Sequence, residues 1–317
     1  DTSKAEAIPG VRAIVTAKDL PETTEQITIQ GTAQDVAYMR GNILAGDKAL
    51  YKGHAVVGLA AVSPHVAEEA LALIDVEYEE LPAVLTAPDG IAASGQAILH
   101  PELRTVELGE KTTTSSNIAE HFQHTKGDVA KGFAEADLVI EREFNTATVH
   151  QGYIEPHSVT ALWNDDGRIL VWCSTQGSFF VRNFMSTILD VSESKIKVTP
   201  LEIGGGFGGK INVYEEPVAA LLSRKTGNRP VKMVMSRQEV FEGTGPTPGS
   251  HMKVKIGVEK DGKITAMQAY LAFEAGAYPG SPVGAGAQCV CANYDTPNGR
   301  IDGYEVVVNK PKSAAYR

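Results

Sequence analysis

The sequence predicts an α+β (mixed α/β) fold, and three observations support this class. In two segments, apolar and polar residues alternate on both sides of an Asp-Gly pair, at Asp166-Gly167 and at Asp261-Gly262. Asp-Gly in this setting is a strong hairpin signal. Helical segments stand between the strand-like ones and are not confined to a separate part of the chain. The 317 residues, 43% hydrophobic and 21% charged, are enough for two domains with substantial cores.

Residues 1–85 predict a compact strand–helix–strand unit. Residues 55–62, AVVGLAAV, form an apolar run typical of a buried strand. Residues 63–74 follow as a predicted helix, with Ser63 as its N-cap and a proline at its first position. Residues 75–81, DVEYEEL, alternate apolar residues with acids and predict a returning strand.

A polar stretch, residues 86–127, predicts a long connection. It contains the run GEKTTTSSN, and such stretches mark a domain boundary or a segment that wraps over another surface. The chain beyond it predicts longer strands with helices between them. The predicted elements are a strand at 136–149, a hairpin at 159–175, a helix at 178–189, a strand at 195–200, a helix at 215–224, a strand at 229–236 and a hairpin at 249–278.

Charge and hydropathy exclude two classes of protein. The net charge is −10, whereas a general nucleic-acid binder carries a basic patch. No apolar run approaches the roughly 20 residues that cross a bilayer. The chain begins at Asp1 without a basic-then-apolar signal pattern. We therefore expect a cytoplasmic protein, with a periplasmic location from an exported precursor as the alternative.

The three cysteines, Cys173, Cys289 and Cys291, contain no C-x-x-C pair. They are too few for a structural zinc site or an all-cysteine iron–sulfur cluster held by this chain alone. We expect all three to be buried apolar residues. Cys289 and Cys291 alternate in AQCVCAN, which predicts neighbours on one face of a strand.

The segment LEIGGGFGGKIN, residues 201–212, carries five glycines within six residues, and glycine loses more backbone freedom on folding than any other residue. Gly204, Gly209 and Lys210 match part of a phosphate-binding P-loop. That motif requires Ser or Thr next, to hold Mg²⁺, and the next residue is Ile211. The P-loop is therefore disfavoured, and a glycine turn without a ligand stays open.

The same run also fits G-x-G-x-x-G, the dinucleotide fingerprint, through Gly204, Gly206 and Gly209. This motif requires an acidic residue at the end of the next strand, where it holds the ribose. The next predicted strand, residues 229–236, ends in Met and Ser. The dinucleotide site is therefore disfavoured as well.

A second motif, HQGYIEPHSVTALW at residues 150–163, stands about fifty residues before the glycine run. Alone, its polar residues would be surface or strand-end groups. Together with GGGFGGK and the later NKPKSAAYR, it resembles the molybdopterin-binding large subunit of the xanthine oxidase family of molybdenum hydroxylases. This family includes xanthine, nicotinate and carbon monoxide dehydrogenases and aldehyde oxidoreductases.

The resemblance runs over essentially the whole chain and implies a domain order. Residues 1–88 are expected to be an α/β hammerhead-like domain whose N-terminal part is missing. Residues 89–127 are the expected linker. Residues 128–317 are the expected first half of a molybdopterin-binding domain.

The resemblance also implies the site residues. It gives Gln151 and Phe207 catalytic roles, with the Gln151 amide donating to the apical oxygen of the metal, and it implies no direct protein ligand to the metal. Glu155 and Pro156 are expected to shape the turn that presents Gln151. Phe207 and Ile211 are expected in the substrate pocket. The expected cofactor-binding residues are Gln151, Gly205, Gly206, Phe207, Gly208 and Arg317.

Two departures from the purine-oxidising members bear on the substrate. Those members carry a glutamate directly after the GGGFGGK lysine, where this chain has Ile211, and an arginine near the position of Ala285. Both replacements are apolar and would leave a polar substrate edge unpaired. We therefore expect an aldehyde, an aromatic or N-heterocyclic substrate, or carbon monoxide, with water as the oxygen donor.

The resemblance finally implies cofactors and partners. The expected cofactor is molybdenum with molybdopterin, in the plain form or as the cytosine dinucleotide. Iron–sulfur and FAD groups are expected on partner subunits. The second half of the molybdopterin subunit is expected to supply the general base, a glutamate. The alternative is a non-catalytic structural subunit of such a complex without bound cofactor.

Overall fold

The computed structural model describes residues 1–23, 26–29 and 32–316. In chain order the elements are α1 (Ser3–Glu6), β1 (Val11–Thr16), β2 (Gln26–Ile29), β3 (Thr32–Asp35), α2 (Val36–Ile43), β4 (Val57–Ala61), α3 (Pro64–Leu71), α4 (Ala87–Ala92), β5 (Arg104–Glu107), β6 (Glu110–Ser115), β7 (Ile118–Lys126), α5 (Val129–Ala134), β8 (Leu138–Thr146), β9 (Ser158–Trp163), β10 (Ile169–Cys173), α6 (Ser178–Leu189), β11 (Ile196–Pro200), α7 (Glu216–Lys225), β12 (Val231–Val234), α8 (Arg237–Gly243), β13 (Ser250–Val258), β14 (Ile264–Gly276), α9 (Val283–Cys289) and β15 (Gly299–Val307). Among these elements, no helix is both long and apolar enough to cross a membrane. The mixed α/β class is confirmed.

The chain forms two compact units, each assembled from separate stretches of sequence. Unit 1 contains residues 1–80, 150–245 and 314–316, and unit 2 contains residues 81–149 and 246–313. The boundaries predicted at residues 88 and 127 stay a prediction, because these units are defined by packing and each is interrupted in sequence.

Unit 1 is built on a four-stranded sheet in the order β11-β10-β9-β12. Strands β10 and β11 are parallel, while β9 runs antiparallel to both β10 and β12. Alternate residues of β9 are buried, starting at Val159, as expected for a sheet with one face against a core. The apolar faces of α6 and α7 supply Met185, Ile188 and Leu222 to the same core.

Unit 2 is built on a seven-stranded sheet in the order β6-β5-β7-β15-β14-β13-β8. The pairs β14–β15 and β5–β7 are parallel and the others are antiparallel. Helix α9 packs on β14, where Leu271, Val283 and Ala287 share a small core. Strands β6 and β8 form the two edges of the sheet.

Local sequence signals are confirmed at the predicted turns and caps. The hairpins β9–β10 and β13–β14 form with Gly167 at φ +79° and Gly262 at φ +88°, a conformation that glycine adopts without a steric penalty. Helix α3 begins after Ser63, whose hydroxyl accepts a hydrogen bond from the Val66 amide.

The strand predicted at residues 75–81 is wrong. Strand β4 pairs instead with β1 in an antiparallel two-stranded sheet, and no described strand lies beside residues 76–81. Val76, Tyr78 and Leu81 are exposed. The alternating apolar residues therefore have no core to pack against, and the segment forms no strand.

Residues 86–127, expected to be a long connection, contain α4, β5, β6 and β7. The polar run 109–117 supplies β6, which is almost entirely exposed. Both side-chain faces of this edge strand are exposed, so its residues can be polar on both faces. Apolar periodicity is therefore a poor guide to such a strand.

The strand predicted around Cys289 and Cys291 is also wrong. Cys289 ends helix α9 and is exposed, and Cys291 lies in the following turn, half-buried. Helix α9 forms although Gly284 and Gly286 disfavour a helix, because Val283 and Ala287 pack on β14. Of the three cysteines only Cys173, at the end of β10, is fully buried as expected.

Candidate functional site

The candidate site lies at one end of the four-stranded sheet of unit 1. Strands β10 and β11 are parallel, so their carboxyl ends meet there, and the antiparallel pairings bring the start of β9 and the end of β12 to the same end. The loops at this end are 150–157, 174–177 and 201–215. Both sequence motifs are therefore brought together, as loops at the carboxyl ends of parallel strands often are.

Gln176, which follows β10, holds the glycine loop from one side. Its Oε1 accepts hydrogen bonds from the Gly208 amide at 2.9 Å and the Lys210 amide at 3.2 Å. Its own backbone amide donates to the Lys210 carbonyl at 2.8 Å. One side chain thus fixes the closing turn of the loop.

Glu155 holds the loop from the other side. Its Oε2 accepts from the Gly204 amide at 2.7 Å and from the Lys210 ammonium at 2.5 Å. The Lys210 side chain is completely buried, and its ammonium also lies 5.1 Å from the centre of the Tyr153 ring. Partial burial acts to raise the pKa of Glu155, but the hydrogen bonds from Lys210 and Gly204 outweigh it and hold the pKa below its ordinary value. Lys210 is therefore a structural anchor, and Glu155 shapes the loop as well as its own turn.

The glycines are required by the protein's own packing. A Cβ atom built at Gly206 would stand 2.5 Å from Gln176 Oε1, and one at Gly208 would stand 2.4 Å from the Ala315 carbonyl oxygen. Real Cβ atoms do not approach other atoms this closely. Side chains are excluded here whether or not a ligand is bound.

Three consecutive amides of the loop are left for a ligand. The amides of Gly205, Gly206 and Phe207 donate to no acceptor in the described part of the chain. Gly206 is buried, and a buried amide without a partner costs about 1–3 kcal/mol. Gly205 and Phe207 have positive φ angles, +91° and +50°. Successive amides in such a backbone form a concave site for anionic or oxygen-rich groups.

Phe207 combines two uncommon features. Its φ of +50° lies in the left-handed region, which a bulky residue rarely adopts, and its ring is 52% exposed. Backbone strain of this kind persists at sites where function maintains it. The ring is therefore presented to solvent as a flat apolar surface above the loop.

Gln151 is buried, with 6% of its surface exposed. Its Nε2 donates both hydrogens within the protein, to the Gly245 carbonyl at 3.0 Å and the Ala315 carbonyl at 2.6 Å. Its Oε1 has no partner among the described residues, and a Cβ on Gly209 would stand 2.9 Å from this atom. In this arrangement the free group of Gln151 is an acceptor, and the expected donation from its amide to a metal oxygen stays a prediction.

The other residues predicted from the resemblance are Ile211, Ala285 and Arg317. Ile211 is half-buried and directly follows Lys210. Ala285 lies exposed on α9 in unit 2. Arg317 lies outside the described residues.

A polar network lies under the loop 150–157. Tyr153 Oη is 2.7 Å from His157 Nε2 and 3.1 Å from Thr244 Oγ1, and Thr244 donates to the Val240 carbonyl at 2.6 Å. His150 Nε2 is 2.9 Å from the same Thr244 oxygen. The hydrogen bonds can all point toward the Val240 carbonyl, with His157 Nε2 donating to Tyr153 and Tyr153 donating to Thr244. Burial, then Lys210 and His150, lower the pKa of His157 to about 3.

Stability is expected to fall on acidification because of His157. A folded pKa of about 3 against an ordinary 6.5 means that the unfolded chain binds the extra proton first. The contribution of neutral His157 to the free energy of unfolding is fully present above the ordinary pKa and is lost as the pH falls toward 3. Between about pH 7.5 and about pH 5 the free energy of unfolding should drop by about 2 kcal/mol from this group.

Urea unfolding at the two pH values measures the drop. In the His157→Gln variant most of this pH-dependent drop should be absent. In His65→Gln, which changes an exposed histidine on α3, the drop should be as large as in the wild type. Equal pH dependence in wild type and His157→Gln would contradict the assignment.

Sequence reasoning missed Gln176, Tyr153, Thr244 and the role of Lys210 in the site. Gln176 could have been found, because it stands just beyond the carboxyl end of a strand in a parallel pair. Thr244 and Lys210 act through contacts between residues far apart in sequence, for which no local pattern exists, and Tyr153 joins the distant Thr244 to the nearby His157. Within the residues that the structure describes, no group of three His, Cys, Asp or Glu side chains could hold a metal ion.

Comparison with known families gives two matches that together span the chain. The molybdopterin cofactor-binding domain matches residues 111–317. The a/b hammerhead domain of aldehyde oxidase and xanthine dehydrogenase matches residues 1–82.

Individual relatives cover this chain completely. The nicotinate dehydrogenase large molybdopterin subunit of Eubacterium barkeri is 31% identical, and this chain spans 70% of its length. One subunit of a probable xanthine dehydrogenase of Bacillus subtilis is 29% identical, with 40% of its length spanned. Aldehyde oxidoreductase from Desulfovibrio gigas superposes with a TM-score of 0.86 at 26% identity, and this chain spans 34% of it. The chain thus spans between a third and seven tenths of these relatives.

Proposed function

Because this chain belongs to the aldehyde oxidase and xanthine dehydrogenase family of molybdopterin-dependent oxidoreductases, we propose that it forms one wall of a molybdopterin site. The resemblance noted in the sequence is confirmed at the level of the family. The proposed reaction is hydroxylation of an aldehyde or of an aromatic or N-heterocyclic substrate, with water as the oxygen donor.

One observation carries the proposal: the unpartnered amides of Gly205, Gly206 and Phe207 stand on a loop that packs against Gln151. The Oε1 of Gln151 is also buried without a partner. Buried polar groups in folded proteins are nearly always paired. Open donors on loop 201–215 beside an open acceptor on loop 150–157 therefore fit a bound group rich in both oxygen and N–H.

The residues present fit a molybdopterin group in this way. When bound, that group supplies transfer of oxygen from water to carbon and takes up two electrons. The amides of Gly205, Gly206 and Phe207 would hold its oxygen atoms, and Gln151 Oε1 would accept from one of its N–H groups. Phe207 would cover the flat face of a substrate and exclude water from it.

The rest of the enzyme is proposed to come from other chain segments and subunits. This chain spans 34–40% of two of the relatives compared, so a further part of the large subunit would supply the general base and the opposite wall. Iron–sulfur and FAD subunits would carry the electrons away. The pterin is proposed to be bound as molybdopterin or its cytosine dinucleotide.

Purines are proposed to be poor substrates. Ile211 is aliphatic at the place of the purine enzymes' glutamate, and an unpaired buried polar edge costs about 1–3 kcal/mol per group. Relatives acting on purines and on other substrates are about equally similar to this chain, so overall identity does not decide the substrate.

A dye-reduction assay on the complete complex tests the function. Xanthine, an aromatic aldehyde, nicotinate and carbon monoxide are offered in parallel, and xanthine should be turned over at least about a hundredfold more slowly than the best substrate. Ile211→Glu should raise the rate with xanthine. Ile203→Glu makes the same change just before the glycine run 204–209 and should leave that rate unchanged. Xanthine as the best substrate would contradict the role of Ile211, and reduction by none of the four would favour a non-catalytic subunit.

A further inference from the structure

Strand β8 is exposed along its whole length. Each of its nine residues, Leu138–Thr146, is exposed, although the strand forms a continuous ladder with β13. Within the described part of the chain no strand pairs with its other side. A long free edge of this kind templates pairing with another strand, and soluble proteins normally shorten it, twist it away or cover it.

One face of this edge, the apolar face, carries three exposed apolar side chains. Leu138, Ile140 and Phe144 point to it because side chains alternate along a strand, and they are 53%, 38% and 50% exposed. Arg142 lies between Ile140 and Phe144 on the same face. The cross-strand partners Ile256 and Met252 are only partly buried. The opposite face is mostly polar, and there Glu143 pairs with Lys253 at 3.5 Å. The edge therefore offers free backbone groups together with exposed apolar side chains.

We propose that β8 and its apolar face dock an extended strand from the remainder of the large subunit. This inference deepens the proposed function by naming the surface on which the second half of the molybdopterin subunit sits. Two features favour a strand as the occupant. An unpaired ladder edge is satisfied by another strand, and Leu138, Ile140 and Phe144 stand at even spacings, on the side-chain face that a strand laid beside β8 would extend.

The remainder of the subunit is favoured over a second copy of this chain for a physical reason. Structurally similar chains are two and a half to three times longer than this one, since it spans 40% and 34% of them. A strand held in the same complex has an effective concentration on the order of millimolar. It would occupy the edge before a second molecule at ordinary concentration could pair there.

Amide hydrogen exchange on the complete large subunit tests the proposal. In a free edge strand every second amide points outward without an acceptor and exchanges fast. We expect all amides of residues 139–145 to be slowed at least about a hundredfold in the complete subunit, and to the same degree at low and high protein concentration. Fast exchange at alternate positions would overturn the proposal, and protection that appears only at high concentration would assign the edge to a second copy and overturn it too.

A substitution pair adds an independent measurement. Phe144→Lys places a charge on the apolar face and should restore fast exchange at the outward amides of β8. Thr113→Lys makes the same kind of change on the exposed strand β6 at the other edge of the sheet and should leave β8 protected. If Phe144→Lys does not fold, the wild-type exchange pattern still decides. Neither readout depends on molybdenum or turnover, so the proposal can fail while the proposed function stands.

Discussion

Replacing Glu155 by glutamine is expected to lower the free energy of unfolding by about 3 kcal/mol. The change leaves the completely buried Lys210 ammonium without its carboxylate, and a buried charge without a counter-charge is among the most costly defects in a protein. The expected value is at the lower end for breaking a buried pair, because Glu155 keeps 34% of its side chain exposed. Glutamine retains the size of the side chain, so the loss reports the charge and not the packing.

Glu202→Gln is the matched control. Glu202 is exposed and lies just before the glycine run 204–209. Its side chain makes no hydrogen bond or ion pair among the described residues. Urea unfolding should give a loss below about 0.5 kcal/mol for this variant. If Glu155→Gln and Glu202→Gln unfold alike, the pair with Lys210 does not hold the glycine loop.

Gly208→Ala is expected to reduce the molybdenum content of the purified complex at least about tenfold. The new Cβ would meet the Ala315 carbonyl, which also accepts the hydrogen bond from Gln151. The φ of +96° adds backbone strain for any residue with a Cβ. The loop and Gln151 would therefore shift together, and the fold itself should lose about 1–3 kcal/mol of stability.

Gly227→Ala is the control that separates the effect of backbone strain from the effect of the Cβ clash. Gly227 has a φ of +73° and open space around its Cβ position, so alanine there carries the strain without the clash. This variant should lose comparable backbone stability and keep its molybdenum. Full molybdenum content and normal turnover in Gly208→Ala would show that the loop does not set the cofactor's position.

Features set by neighbouring residues could be predicted from the sequence. The Asp-Gly hairpins, the Ser63 cap and the helices at 178–189 and 215–224 depend on local conformational preferences, and all are confirmed. The family could be predicted too, because GGGFGGK and the Gln151 motif appear in one order and spacing. The same motifs lie at one end of one sheet, where the topology of parallel strands brings them together.

Features that depend on contacts between residues distant in sequence could not be predicted. Residues 75–81 have the pattern of a strand, but a strand forms only where a neighbour is available to pair. The buried pair of Lys210 with Glu155 joins residues 55 positions apart, and its function as a loop anchor is invisible in either motif. The hydrogen bonds of Gln151 within the protein could not be predicted for the same reason, since the two carbonyls that take its hydrogens come from residues 94 and 164 positions away.

The most direct measurement is the molybdenum and pterin content of the complete large subunit, purified with its partners under anaerobic conditions. Metal analysis and the fluorescence of the oxidised pterin, released by denaturation, are read on the same sample. The open amides at Gly205–Phe207 and the free oxygen of Gln151 predict stoichiometric molybdenum and pterin in the wild type. Gly208→Ala should lose both while Gly227→Ala retains them. A wild-type complex that is folded and assembled but carries neither molybdenum nor pterin would contradict the cofactor site.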